Sequence, residues 1–131
     1  MKEHYKGIGH VAVYTEDMAA SIAFYEKIGG ALHQTGVIHT PDGDKKLALV
    51  EFGGFLLELI QTPVPMPMSE GNVPHFAVYV DDLDAVAADI RAAGVDTFLG
   101  EKYVNRTLFG GVQNYFFTGP SGEKIELLQM L

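Results

Sequence analysis

Two histidines and two glutamates recur at matching places in this chain of 131 residues. His10 lies in the run GHVAVYTED and His75 in its echo PHFAVYVDD, while Glu58 lies in FLLELIQ and Glu126 in EKIELLQ. The offset is 65 residues for the histidines (75 − 10) and 68 for the glutamates (126 − 58). Imidazole nitrogens and carboxylate oxygens suit borderline divalent ions such as Ni²⁺, Co²⁺, Mn²⁺, Fe²⁺ or Zn²⁺. The duplication therefore predicts a divalent metal site.

Strand parity predicts which side chains face the same way, because successive residues of a strand point to opposite faces. In each of the four echoed segments the face opposite the histidine or glutamate is apolar. That face consists of Val11, Val13, Leu57, Leu59, Phe76, Val78, Val80, Ile125 and Leu127. A glutamate among apolar neighbours must be paired, neutral or bound to a cation. We expect helices to cover the apolar faces, and the four ionisable side chains to sit together on the uncovered, concave face.

Each half of the chain reads strand, helix, strand, strand, strand. Apolar spacing, acidic starts and glycine ends predict helices over Asp17–Ile28 and Asp82–Ala93. The predicted strands are 8–14, 31–38, 46–52 and 55–61 in the first half, and 75–80, 97–103, 112–118 and 124–130 in the second. The second half is longer by three residues (68 − 65), which we assign to the glycine-bearing loop Asn105–Gly111.

The length predicts one domain, residues 1–131, built from two halves of about 5–62 and 73–131. The proline-rich segment Thr62–Asn72 joins them, because its alternating prolines forbid helix and discourage a central strand. The fold class expected from this order is α+β.

Composition excludes several kinds of partner. With 17 acidic and 9 basic residues the net charge is −8, which repels phosphate backbones and anionic lipid. The chain has no cysteine, so disulfides and thiolate ligands are excluded. No apolar run approaches the roughly 18 residues of a membrane span, and the start lacks the apolar stretch of a signal peptide. We expect a cytoplasmic protein that binds neither nucleic acid nor membranes.

Three further segments carry a family likeness: Gly7–His10, Ser21–Gly30 with its FYEK helix end, and Gly119–Leu127 with its PSGEKIEL hairpin. On these residues the chain resembles the vicinal oxygen chelate superfamily, which includes glyoxalase I, bleomycin-resistance proteins, extradiol dioxygenases, fosfomycin-resistance proteins and methylmalonyl-CoA epimerase. The resemblance covers nearly the whole chain. It implies two tandem βαβββ modules that form a cup-shaped mixed sheet around a metal.

Within that superfamily the His–Glu–His–Glu set resembles bacterial glyoxalase I. The resemblance implies that one divalent metal ion is held by His10, Glu58, His75 and Glu126. It also implies a metal-dependent isomerase or lyase, in which the metal binds two vicinal oxygens of a small-molecule substrate and a carboxylate removes a proton next to a carbonyl, giving an enediolate. We predict Glu126 as the base, with Glu58 as its near-symmetric alternative. Family members of this size are commonly homodimers, and the quartet could close within one chain or across two.

The substrate half of the site departs from glyoxalase I. Tyr14 and Thr62 stand where that enzyme carries an arginine and an asparagine that hold glutathione, so we do not expect the glutathione adduct as substrate. Lys102 or Arg106 could hold a substrate carboxylate, although a solvated loop is the commoner arrangement. Two alternative functions stay open. One is a small-molecule-binding or resistance protein that uses the same cup without turnover, and the other is a methylmalonyl-CoA epimerase-like enzyme, for which nine basic residues leave little to bind a nucleotide phosphate.

Two other carboxylates do not match the repeated glutamates. Glu51 and Glu123 have the wrong parity or lie in turns, and we predict that both are solvated.

Overall fold

The computed structural model describes residues 2–4, 8–66, 71, 73 and 75–131, and in this part of the chain two α-helices and eight β-strands form. The first half contains β1 (Val11–Tyr14), α1 (Met18–Lys27), β2 (Ala31–Thr40), β3 (Gly43–Phe52) and β4 (Phe55–Gln61). The second half contains β5 (Phe76–Tyr79), α2 (Leu83–Ala92), β6 (Phe98–Asn105), β7 (Val112–Thr118) and β8 (Lys124–Met130). Short 3₁₀ helices span Lys2–His4 and Leu108–Gly110. Parts of the predicted linker (67–70 and 72) and the first residues of the first half (5–7) lie outside the described residues.

Each half forms its own mixed sheet of four strands. The strand orders are β1-β4-β3-β2 and β5-β8-β7-β6, so the two halves have the same topology. The outer pair β1·β4 is parallel, as is β5·β8, and the remaining pairs are antiparallel. The predicted α+β class and the two βαβββ modules are thus confirmed, and we refer to the halves as the first and second module.

A glutamine from the last strand of each module caps that module's helix. Gln61 Oε1 accepts a hydrogen bond of 2.8 Å from the amide of Met18, and Gln129 Oε1 accepts one of 2.7 Å from the amide of Leu83. These amides belong to the first turn, where the helix supplies no internal acceptor. Since Gln61 and Gln129 each lie three residues after a repeated glutamate, the cap ties the glutamate's strand to the helix.

The apolar, helix-covered faces of the two sheets share one buried core. The rings of Phe24 and Phe117 lie 6.4 Å apart, and those of Phe55 and Phe76 lie 5.7 Å apart, so both contacts cross between the modules. The buried cluster comprises Tyr25, Ala48, Val50, Phe52, Leu57, Leu59, Val78, Leu83, Ile90, Val95, Phe117, Ile125 and Leu127. The modules therefore pack through their helix-covered faces, and their uncovered faces point away from this core.

Most predicted element bounds agree with the structure, and the last strand of each module agrees residue for residue. The strand predicted at 46–52 begins instead at Gly43, because Thr40 pairs with Gly43 and extends the hairpin to its turn. The strands predicted at 8–14 and 75–80 are shorter, because the parallel pairing with the last strands starts only at Val11 and Phe76.

The prediction that the three extra residues lie in Asn105–Gly111 is wrong. Asn105 pairs with Val112 as Ile38 pairs with Lys45, so six residues separate the members of each pair in both modules.

Two of the extra residues lie within β6 instead. Gln34 and Leu99 occupy matching places with an offset of 65 (99 − 34), whereas the next matching residues, Gly36 and Tyr103, have an offset of 67 (103 − 36). The register of β6 shifts at this point, and a bulge absorbs extra residues without changing the strand order. The third extra residue falls in the turn between β7 and β8, since the offset is 68 at the glutamates.

Within the described residues, no helix is both long and apolar enough to cross a membrane.

Candidate metal centre

The first histidine and glutamate form a pair on the uncovered face of the first sheet. Glu58 lies opposite Ala12 in the parallel pairing of β1 and β4, and His10 directly precedes β1. His10 Nε2 lies 3.7 Å from Glu58 Oε1, and the two side chains are 46% and 22% exposed. Strand parity predicted that these two side chains share a face, and they lie next to each other there.

The second pair repeats this arrangement in the second sheet. Glu126 lies opposite Ala77 in the parallel pairing of β5 and β8, and His75 directly precedes β5. His75 Nε2 lies 3.2 Å from Glu126 Oε2, and the Phe116 ring meets the imidazole edge-on at 5.2 Å between ring centres. The two side chains are 39% and 11% exposed, so Glu126 is more enclosed than Glu58.

A buried amide distinguishes the second pair from the first. Asn114 Nδ2 donates a hydrogen bond of 2.8 Å to Glu126 Oε1, and both residues are 8% exposed. Asn114 is absent from the sequence prediction, although parity within Val112–Thr118 would have placed it on the same face as Glu126. The signal in the sequence was a polar residue, Asn114, on that face of β7.

The two pairs do not meet within one chain. Among the residues that the structure describes, no group of three or more histidine, aspartate and glutamate side chains is placed to hold a metal ion. The expectation that all four side chains sit together is met only within each module, because strand parity fixes a face of one sheet and not how the two sheets dock. The chain thus carries two half-sites, defined as His10 with Glu58 and His75 with Glu126, each on an uncovered sheet face.

Comparison with known proteins places the chain in a family. The family model for the Glyoxalase/Bleomycin resistance protein/Dioxygenase superfamily matches residues 7–127. The chain belongs to this superfamily. Among relatives, the uncharacterized protein YwbC of Bacillus subtilis (strain 168) is 32% identical over 127 residues, which cover 95% of this chain and 98% of YwbC.

Solved structures of the superfamily share the fold. The glyoxalase family protein from Enterococcus faecalis superposes with a TM-score of 0.75 at 25% identity, covering 95% of this chain and 98% of that one. The fosfomycin resistance protein FosX from Listeria monocytogenes, in a complex with Mn(II) and 1S,2S-dihydroxypropylphosphonic acid, superposes with a TM-score of 0.70 at 17% identity, covering 94% and 91%. The likeness to FosX concerns the fold alone.

Four further residues were linked to substrate binding from the sequence, and they lie in different parts of the fold. Tyr14 is 43% exposed on the uncovered face of β1, on the same side as His10. The Thr62 hydroxyl donates to the carbonyl of Val64 just after β4. Lys102 Nζ donates to both carboxylate oxygens of Asp84 in α2, at 3.1 Å each, so this cation is already paired. Arg106 is exposed in the loop after β6.

The prediction that both Glu51 and Glu123 are solvated is wrong for Glu123. Glu51 is exposed as expected, but Glu123 is half-buried, where its Oε1 accepts a hydrogen bond of 2.9 Å from the buried Tyr25 hydroxyl and its Oε2 one of 2.9 Å from the amide of Ser121. Burial raises the pKa of the Glu123 carboxyl. Burial and the Glu123 charge together raise the pKa of the Tyr25 phenol, which stays protonated.

The turn between β7 and β8 makes room for this contact. A Cβ at Gly119 would collide with Glu123 Oε1. Glycine at this position therefore admits the Glu123 side chain. The polar contact between Tyr25 and Glu123 joins α1 of the first module to the start of β8 in the second.

Proposed function

We propose that this chain is a divalent-metal-dependent isomerase or lyase of glyoxalase I type, acting on a small molecule with two vicinal oxygens. The observation that carries the proposal is the repeated pair of histidine and glutamate on the uncovered face of each sheet, with nitrogen-to-oxygen distances of 3.7 and 3.2 Å.

The donor set fits a borderline divalent cation. Two imidazole nitrogens and two carboxylate oxygens match the ligands that Ni²⁺, Co²⁺, Mn²⁺, Fe²⁺ and Zn²⁺ take in proteins. In the second half-site Glu126 is largely enclosed, and an enclosed carboxylate is stabilised by a nearby cation. His10, Glu58, His75 and Glu126 would hold the ion, which when bound supplies Lewis-acid polarisation of the substrate oxygens.

We further propose that the quartet closes across a homodimer. Each chain has two half-sites on faces that point away from its shared core, so a complete set requires the first sheet of one copy to face the second sheet of another. A two-fold axis then generates two equal sites.

Exposed apolar side chains support this pairing. Tyr14 and Tyr79, which share the uncovered faces with the two histidines, are 43% and 74% exposed. Further large apolar residues with substantial exposure lie on those faces in the outer strands, namely Ile38, Leu99 and Tyr103. Large apolar groups exposed together on a sheet face indicate an interaction surface.

The carboxylates would perform the proton transfer. One glutamate removes a proton from the carbon beside a carbonyl, the C–H electron pair forms the carbon–carbon double bond of an enediol(ate), and the carbonyl electron pair moves onto oxygen. The same glutamate returns the proton to the neighbouring carbon, while the hydroxyl proton passes from one substrate oxygen to the other, or it returns the proton to the original carbon. The reaction needs no external oxidant or reductant, because the substrate carbons exchange oxidation states. Glu58 and Glu126 are the two candidates for this role, since each lies beside a histidine.

Metal content tests the site assignment. We expect single replacements of His10, Glu58, His75 and Glu126 by alanine each to lower the metal bound per chain, measured by elemental analysis of protein reconstituted with each of the five metals. His39→Ala is the matched control, because His39 is an exposed histidine of the β2–β3 hairpin that pairs with Asp44 at 2.7 Å. Unchanged metal content in both glutamate variants would contradict the assignment.

Mixing two inactive variants tests closure across chains. His10→Ala damages the first half-site and His75→Ala the second, so a mixed dimer retains one intact site. After random exchange of subunits, about a quarter of the wild-type sites should return, because half of the dimers are mixed and each has one good site. Sites that close within a chain would show no recovery.

Substrate turnover tests the reaction class. We expect metal-dependent exchange of the proton beside the carbonyl, followed by NMR in D₂O, on adducts of methylglyoxal with several thiols. A wild-type protein that binds none of the five metals and catalyses no exchange would instead favour a small-molecule-binding protein of the same fold.

A further inference from the structure

The two half-sites differ in the residue next to their glutamate. This difference bears on which glutamate serves as a metal ligand and which acts as the base in the proposed metal centre. In β7, Asn114 lies opposite Leu128 of β8, two residues beyond Glu126, and its amide reaches Glu126 Oε1 at 2.8 Å. Because both residues are 8% exposed, water competes little for this hydrogen bond. One oxygen of Glu126 is thus occupied by a fixed donor, and Oε2 remains for the metal.

The matching place in the first module is held by an apolar side chain. Leu47 of β3 lies opposite Ile60 of β4, two residues beyond Glu58. Leucine has no donor, so it cannot tether the Glu58 carboxylate as Asn114 tethers Glu126. Glu58 is also the more exposed of the two glutamates, at 22% against 11% for the side chain.

We infer that Asn114 is a positioning residue that keeps Glu126 as a permanent metal ligand, and that Glu58 is the carboxylate that leaves the ion and acts as the base. The inference rests on the proposed function and deepens it. A glutamate that removes a substrate proton would have to be free of the ion and turned toward the carbon. The Asn114 hydrogen bond opposes that movement for Glu126. The matching place near Glu58 is held by Leu47, which has no donor, and the Glu58 side chain is 22% exposed. From the sequence, Glu126 was the preferred base, and the amide contact favours Glu58 instead.

Metal affinity tests the positioning role without reference to turnover. Asn114→Leu installs the residue of the first module, and we expect it to weaken Co²⁺ binding about 10- to 100-fold, as is typical when a group that orients a metal ligand is removed. Competition with a chromophoric chelator gives the affinity. The visible absorption of bound Co²⁺ should also change, because Glu126 can then rotate or bind through both oxygens. Circular dichroism checks folding, and Asn114→Ala provides the same comparison should leucine not fit.

The reciprocal variant tests the base. Leu47→Asn offers Glu58 the amide that Glu126 has, and we expect proton exchange at saturating Co²⁺ to fall about tenfold, while Co²⁺ affinity stays equal or rises. A loss caused by disturbed folding would lower both quantities.

The outcomes separate this inference from the proposed function. A wild-type protein that binds Co²⁺, together with an Asn114→Leu protein of equal affinity and equal spectrum, would overturn the positioning role while the metal site stands. A wild-type protein that binds no metal would overturn both.

Discussion

In the second module Glu126 accepts a hydrogen bond from the amide of Asn114, whereas the matching place in the first module, diagonal to Glu58 on the neighbouring strand, is held by Leu47. The backbone around these residues is the same in both modules, from strand order to the parallel pairing that sets each glutamate opposite an alanine. The two modules therefore share their strand pairing and differ in the side chains that surround the histidines and glutamates. Equal ligands need not have equal roles.

The largest difference between the two modules should appear when each glutamate is replaced by glutamine. At saturating metal we expect Glu58→Gln to lower the rate of proton exchange by about 10²- to 10⁴-fold, the usual contribution of a positioned base. Glu126→Gln should chiefly weaken metal affinity, since its tethered carboxylate acts as a ligand. Exchange rates and chelator competition distinguish the two, and identical behaviour of both variants would mean that the half-sites are equivalent.

The next largest effect should come from the contact between the modules, which has no repeated counterpart. The places that match Tyr25 and Glu123 are held by Ile90 and Phe55, so only one copy of this polar contact exists among the described residues. Tyr25→Phe leaves Glu123 without its buried donor, and we expect a loss of about 1–3 kcal/mol in the free energy of unfolding. Denaturant titration measures it. Glu26→Gln, at an exposed side chain of α1, is the control and should change stability by less than about 0.5 kcal/mol.

Stability should also depend on pH through Glu123. Its pKa is raised in the folded state by burial, so between its ordinary value and the raised one the folded protein holds a proton that the unfolded chain releases. This group's contribution to stability is therefore complete at acidic pH and is lost as the pH rises through the raised pKa. Glu123→Gln should flatten that fall, as seen by subtracting unfolding profiles of the two proteins. A difference profile that rises or stays level for the wild type would contradict the burial effect.

The smallest effects should come from the helix caps, where the modules are most alike. Gln61→Ala and Gln129→Ala should each cost about 1 kcal/mol, as caps commonly do. Gln129 Oε1 also accepts a hydrogen bond of 3.0 Å from Gln113, a place matched by Lys46 in the first module, so its loss should cost a few tenths of a kcal/mol more. Thermal unfolding of both variants tests whether the order is as stated, and a costlier Gln61→Ala would reverse it.

The sequence predicted local geometry well because strand and helix periodicity is local. Strand parity found both half-sites, and the bounds of β4, β7 and β8 agree with the structure. The extra residues were misplaced, because a bulge within β6 leaves no turn residues to mark it apart from Gly100, whose φ is +68°.

What the sequence could not predict depends on how the modules dock. Tyr25 and Glu123 lie 98 residues apart, and nothing in either segment indicates the other. Likewise the repeat shows that four ligands exist, while the packing of the helix-covered faces decides that one chain presents them as two separate pairs.

The shared core between the modules has a further consequence for how the protein tolerates change. A duplicated gene segment ordinarily supplies redundancy, because one copy can decay while the other continues. Here both sheets rest on the same buried residues, with Phe117 of the second module touching Phe24 of the first. Damage to either copy removes support from the other. Neither copy of the half-site can therefore lose its packing without weakening the other.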